Sequence, residues 1–175
     1  MRRLLLALTL LSLPVACSSQ QDREQSRAAN EVKALGGEIE VDEARPGQPV
    51  VKVLLGNTPA TDATVAHLRA FPELQELYLL RTRVADDGLG DLDGFRDLRE
   101  LALTGTRVTD EGLKHLRRVT SLEGLYLDFT AVTDAGLEHL KGLTKLRTLT
   151  LERTPVTDAG VDALRKALPQ LAVKR

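Results

Sequence analysis

Asp128 and Glu152 hold equivalent places in two successive units of the chain, 24 residues apart. Carboxylates side by side on neighbouring strands can divide hydrolytic work, one giving a proton and the other activating water. Acidic pairs are also common on solvated strands, so a hydrolase is the last of three readings. His67, Asp91, His115 and His139 form a second column, of metal-ligand types. Each stands beside an apolar position (Leu68, Leu92, Leu116, Leu140), which turns it to the flank or outer side of a helical row. Helices in neighbouring rows lie about 8–10 Å apart, whereas zinc holds nitrogen at about 2.0–2.1 Å. No three of these side chains converge, and no metal is expected. The chain has no G-x-S-x-G, H-E-x-x-H or phosphate-loop spacing. The expectation is a protein with no catalytic residue and no cofactor.

The elements that carry these residues are periodic. Val53, Leu77, Leu101, Leu125 and Leu149 form one column at a spacing of 24. Thr58, Thr82, Thr106, Thr130 and Thr154 form another, and Asp62, Asp86, Asp110, Asp134 and Asp158 a third. A fixed period in the twenties marks a solenoid, in which each unit packs on its neighbours alone. Within a unit, Leu101 and Leu103 alternate as on a strand, while Leu113 and Leu116 are three apart, as on a helix face.

The run Leu98-x-x-Leu101-x-Leu103-x-x-Thr106-x-Val108 resembles the leucine-rich repeat, L-x-x-L-x-L-x-x-N-x-L. Leu74/Leu77/Leu79, Leu122/Leu125/Leu127 and Leu146/Leu149/Leu151 repeat the match, and Val50/Val53/Leu55 is a weaker copy. The resemblance covers residues 50–173. It implies an α/β fold: a right-handed leucine-rich repeat solenoid of five 24-residue repeats, with a parallel sheet on the concave side and helices on the convex side. The chain departs from the motif by placing Thr at the Asn position. A hydroxyl has one donor and less reach than an amide, so a Thr ladder with fewer bonds per rung is expected. A second departure is the Val-Thr-Asp-x-Gly-Leu turn at Val108–Leu113 and Val132–Leu137, with Val ending the copy at Val156–Val161. It is similar to the short bacterial repeats related to the cysteine-containing subtype. Thr109, Thr133 and Thr157 are placed as helix N-caps. In the second unit Ala85 replaces that Thr, and Asp86 or Asp87 is expected to cap instead. Gly88, Gly112, Gly136 and Gly160 share one position, which suggests close approach to the neighbouring repeat.

Residues between the strand leucines face the concave side. One outward column runs Leu54, Tyr78, Ala102, Tyr126, Thr150, the next Gly56, Leu80, Thr104, Asp128, Glu152, and beside it lie Asn57, Arg81, Gly105, Phe129 and Arg153. Strand spacing puts Tyr78 and Tyr126 roughly 10 Å apart, with Ala102 as a shallow gap between them. Tyrosine and arginine are favoured at binding hot spots. The candidate partner-binding residues are Tyr78, Leu80, Arg81, Thr104, Tyr126, Asp128, Phe129, Glu152 and Arg153. Phe129 has the alternative of packing down at the turn. The core is expected to be aliphatic, since the chain has three Phe, two Tyr and no Trp.

At the N-terminus, Arg2 and Arg3 precede an apolar run from Leu4 to Leu13 that is too short to span a bilayer. Leu13-Pro14-Val15-Ala16-Cys17 resembles a bacterial lipoprotein signal. It implies cleavage after residue 16 and a lipid on Cys17, the only cysteine of the chain. Ser18 resembles the residue of outer-membrane lipoproteins, and an ordinary secretory signal is the alternative. Residues 17–26 read as a flexible tether and residues 27–49 as a helix-strand cap over the first repeat. At the other end, Leu171-Ala172-Val173 reads as half a sixth strand after a slip of one residue, with Lys174 and Arg175 discouraging edge pairing. A monomer is expected. Without Arg2 and Arg3 the chain carries 22 basic and 25 acidic side chains, which gives no drive towards nucleic acid. These readings describe a non-catalytic, lipid-anchored protein that binds a protein or glycan at the cell envelope. A structural envelope lipoprotein without a discrete ligand site is the alternative.

Overall fold

Seven strands lie side by side in chain order in the computed structural model, which describes residues 20–175. The signal segment, Cys17 and Ser18 lie outside the described residues. Strand β1 (Glu38–Val41) runs antiparallel to β2 (Val50–Leu54). The strands β3 (Glu76–Tyr78), β4 (Glu100–Ala102), β5 (Gly124–Tyr126), β6 (Thr148–Thr150) and β7 (Ala172–Lys174) follow, all parallel. The sheet is therefore parallel except at its first edge. Each strand is three to five residues long because the chain leaves for the turn as soon as both core leucines are placed.

The 24-residue period sets the register. Val53 pairs with Leu77, Leu77 with Leu101, Leu101 with Leu125 and Leu125 with Leu149. These five side chains, and Leu55, Leu79, Leu103 and Leu127, are fully buried. Each contributes about 1.5–3 kcal/mol by leaving water. The core is not wholly aliphatic: Phe71 and Phe95 are among its largest buried side chains. They occupy one column with Val119 and Leu143, under the turn that leads back to the strand.

The Thr column forms the expected ladder. Thr58, Thr82, Thr106 and Thr130 each donate a hydroxyl hydrogen bond of 2.6–2.7 Å to the carbonyl three residues back. Thr154 does the same at 2.8 Å. One bond within the turn replaces the longer reach of an amide.

The convex side is more broken than five helices. Helices α2 (Asp62–His67), α3 (Asp110–Leu116), α4 (Asp134–Leu137) and α5 (Asp158–Ala167) are short. The second unit has only two 3-10 turns, Asp87–Leu89 and Leu92–Gly94. Thr109, Thr133 and Thr157 cap their helices by accepting from backbone N–H groups. Neither Asp86 nor Asp87 caps the second unit. The Asp86 carboxylate is already taken by Thr109 of the next repeat, whose N–H and hydroxyl both donate to it at 2.7 Å.

That bond is one rung of a second ladder between repeats. Asp62 accepts from the Ala85 N–H at 2.8 Å. Asp110 accepts from Thr133 and Asp134 from Thr157, in each case from N–H at 2.8 Å and from hydroxyl at 2.6 Å. These hydrogen bonds, the hydroxyl one first, hold the Asp134 carboxyl below its usual range. The stacked glycines make room for the ladder: a Cβ at Gly88, Gly112, Gly136 or Gly160 would overlap the carboxylate of Asp62, Asp86, Asp110 or Asp134.

At the N-terminal end, helix α1 (Gln20–Ala34) buries Ala28 and Val32 against the array. Residues 20–26 are thus helical rather than a tether. They are rich in Gln, Glu and Arg, good helix formers without Gly or Pro, and the Gln20 amide donates to Glu24 one turn on. Gly36, at φ 84°, ends the helix. At the other end β7 is a full strand, with Val173 opposite Leu149. The one-residue slip carried by Leu168–Leu171 is undone between Leu171 and Ala172, since β7 pairs at the regular spacing of 24. Arg175 reaches back to the Asp158 carboxylate and donates to the Val156 carbonyl at 2.6 Å. No helix among the described residues is long and apolar enough to cross a membrane.

Candidate functional site

The concave face is built by the residues on either side of each core leucine. In β3 these are Glu76 and Tyr78, in β4 Glu100 and Ala102, in β5 Gly124 and Tyr126. Strand alternation places both on the same face. The column Lys52, Glu76, Glu100, Gly124, Thr148 therefore joins the site, although sequence reasoning took only the column after the leucine. The signal was available: period two applies in both directions from the buried residue.

This added column surrounds the tyrosines with charge. The Tyr78 hydroxyl donates to Glu76 Oε2 at 3.1 Å. Lys52 Nζ lies 3.2 Å from Glu40 Oε1 and 3.5 Å from Glu76 Oε2. It stands 5.7 Å from the centre of the Tyr78 ring, within cation–π range. Burial, and then the hydrogen bond and charge of Glu100, push the Tyr126 phenol up to about 12. Tyr78 is also raised, first by burial and then by the Glu76 charge. Glu100 Oε2 is enclosed without a hydrogen-bond partner.

The other candidates divide. Leu80 lies over Gly56, where a Cβ would overlap it. Asp128 is committed to the fold: its Oδ2 accepts from Thr150, and from Thr104 at 3.5 Å, while its Oδ1 accepts from the Glu152 N–H at 2.7 Å. Asp128 is a strut between turns, and it holds the backbone of Glu152.

Arg81, Phe129 and Arg153 share a turn position with positive φ, at 53°, 57° and 54°. Asn57 and Gly105, in the same column, also have positive φ and tolerate it better. For bulky residues this conformation is strained. It is imposed by the ladder, since the N–H groups of Arg81 and Phe129 donate at 2.8 Å to the next repeat. Phe129 does not pack down: it is 51% exposed, and Arg153 lies 5.8 Å from its ring centre. The histidine column stays apart. His67 bonds Glu31 at 2.6 Å, and among the described residues no group of three His, Cys, Asp or Glu is placed to hold a metal ion.

Leucine Rich repeat is the family that matches, over residues 96–116. No curated protein matches the sequence. Among solved structures, the fold is similar to an internalin from Listeria monocytogenes. The identity is 21% and the TM-score 0.61, over 71% of this chain and 34% of that one. A leucine-rich repeat protein from Leptospira interrogans gives 19% and 0.50, over 63% of this chain and 27% of that one. The chain thus spans about a third and about a quarter of these two proteins. Actin-binding site 2 of leiomodin-1 gives 15% and 0.59, over 87% of this chain and 89% of that one. The 24-residue register, the stacked parallel strands and these likenesses together identify the fold as that of a leucine-rich repeat protein.

Proposed function

We propose that this chain is a non-catalytic, monomeric scaffold that holds a protein partner on its concave face at the cell envelope. The observation that carries the reading is the arrangement of Tyr78 and Tyr126. Both project from a hydrogen-bonded sheet whose register leaves them no freedom to drift, so little ordering entropy opposes binding. Arg81 and the exposed Phe129, both at positive φ, follow them by three residues, and strain of this kind gathers where function requires a side chain. The internalin and leiomodin-1 likenesses support a binding role by fold only. The lipoprotein-like segment before Cys17 supports the address: an extracytoplasmic protein anchored by lipid.

The test is capture of a partner from native envelope extract. Tyr78→Ala with Tyr126→Ala should weaken capture by about 1–2 kcal/mol per hot spot, with unchanged far-UV circular dichroism. Equal saturable capture by the double variant and the wild type would remove the concave face as the site.

A further inference from the structure

The end of each helical segment and the return to the next strand occupy residues 69–75, 93–99, 117–123, 141–147 and 165–171. The 24-residue register stacks them along one flank of the array. In the first two, charges balance: Arg69 with Glu73, then Arg96 and Arg99 with Asp93 and Asp97. The last three are basic. Arg117 and Arg118 come with one acid, Glu123, while Lys141, Lys145 and Arg147 come with none, and neither do Arg165 and Lys166. All are exposed except Lys141, which is partly so. The whole chain has 24 basic and 25 acidic side chains, so this charge is local.

Neighbouring acids answer only part of it. Asp93 lies 3.5 Å from Arg118, Glu138 2.6 Å from Lys141 and Asp162 3.8 Å from Arg165. Arg117, Lys145 and Lys166 have no ion-pair partner among the described residues. Arg117, Lys141 and Arg165 are one column of the repeat, which the fold sets in a row at a helix spacing of about 8–10 Å. Like charges held in a row repel, and an anionic surface relieves them.

The same flank is where the chain enters the fold. At the start of helix α1, Gln20, Gln21 and Glu24 border a cleft with Arg69, Ala70 and Pro72. Arg69 heads the column that continues to Arg117, Lys141 and Arg165. Gln20 is three residues after Cys17 in sequence. A lipid on Cys17 is thereby tied to the flank that carries the cations, and lipid and basic patch act together at an anionic bilayer.

We propose that the array docks by this flank on the anionic headgroups of its membrane, with Arg117, Lys141, Lys145, Arg165 and Lys166 as the contacts. This rests on the reading of the chain as a lipid-anchored envelope protein and adds the orientation in which it is held. The strands begin at this flank and run away from it. The turns that hold Arg81, Phe129 and Arg153 therefore stand at the far edge, open to a partner.

The test uses the full chain with Cys17→Ala, which takes no lipid. It is sedimented with vesicles of phosphatidylcholine, or of equal parts phosphatidylcholine and phosphatidylglycerol. Preference for the anionic vesicles, weakened by salt, is expected. Each basic residue at such a surface is worth about fivefold in partition, so Arg117→Glu with Lys145→Glu should lower it on the order of tenfold or more. Arg83→Glu with Arg107→Glu, at exposed positions on the opposite flank, changes net charge equally and should stay near wild type. Far-UV circular dichroism checks that both variants are folded. A nitrobenzoxadiazole label at Thr144→Cys should shift its emission to the blue on anionic vesicles, and one at Ala131→Cys should not.

No preference for anionic vesicles, equal losses in the two charge variants, or equal shifts at the two labels overturns the proposal. So does release of the chain from vesicles by alginate of equal total charge, which would make an acidic glycan the occupant. The anchor is tested apart, by palmitate-analogue labelling of the wild type. If Cys17 takes no label while vesicle binding follows the flank, docking stands without the anchor. If Cys17 is labelled and the Arg117/Lys145 variant binds as wild type does, the anchor stands and docking falls.

Discussion

Tyr126 and Tyr78 are the only tyrosines of the chain, so absorbance near 295 nm during an alkaline titration reports these two phenols alone. Tyr126 is held up to about 12. Its value in the unfolded chain is about 10. The unfolded chain therefore loses its phenol protons first as pH rises. The contribution of Tyr126 to stability is complete below about pH 10 and fades as pH climbs towards 12. Two separated steps are expected, the upper one removed by Tyr126→Phe and lowered by Glu100→Gln. A single step near 10 would show that neither burial nor Glu100 holds this phenol up. The tyrosine columns were legible in the sequence because they sit one residue after a buried leucine. The positive φ of Arg81, Phe129 and Arg153 was half legible: their column also holds Asn57 and Gly105, residue types that tolerate that conformation. The role of Asp128 was not. A carboxylate that faces solvent and one that spans two turns look alike in a column of letters, and only the hydrogen bonds to Thr150 and Glu152 separate them.

At the scale of the element, the strands followed directly from period two and the 24-residue register. The helical side did not, because a capping residue can be spent elsewhere. Asp86 stands where a cap is needed, yet it serves the following repeat, and the second unit is left with 3-10 turns. The rung from Asp to Thr is accordingly the feature to test. Asp110→Ala removes the acceptor of the Thr133 N–H and hydroxyl and empties the space beside Gly136. The loss should be about 1–3 kcal/mol in urea denaturation. Asp158, whose side chain is 97% exposed and meets Arg175 rather than the Thr of another repeat, should respond much less to the same change. Equal effects at the two positions would mean that the rungs do not hold neighbouring repeats together. Phe71 and Phe95 escaped the sequence reading for a simpler reason: their column also contains Val119 and Leu143, and its apolar character emerges only when all units are aligned.

At the scale of the whole molecule, the early start of helix α1 alters how an anchored protein would sit. The chain is already helical at Gln20, three residues after Cys17 in sequence. If Cys17 carries lipid, the array stands close to the bilayer with restricted reach, and a partner must come to the same surface. Metabolic labelling with a palmitate analogue should mark the wild type and not Cys17→Ala. Label on both, or on neither, would sink the anchor. The ladder of aspartates has a further consequence for the size of the array. Each of the second, third and fourth units offers a carboxylate to the unit after it and receives one in the hollow beside its glycine. A unit copied in steps of 24 residues brings both fittings with it, so the seams on either side close without adjustment elsewhere. Length is then open to change by duplication or loss of whole units, whereas one residue more or less inside a unit spoils two seams at once.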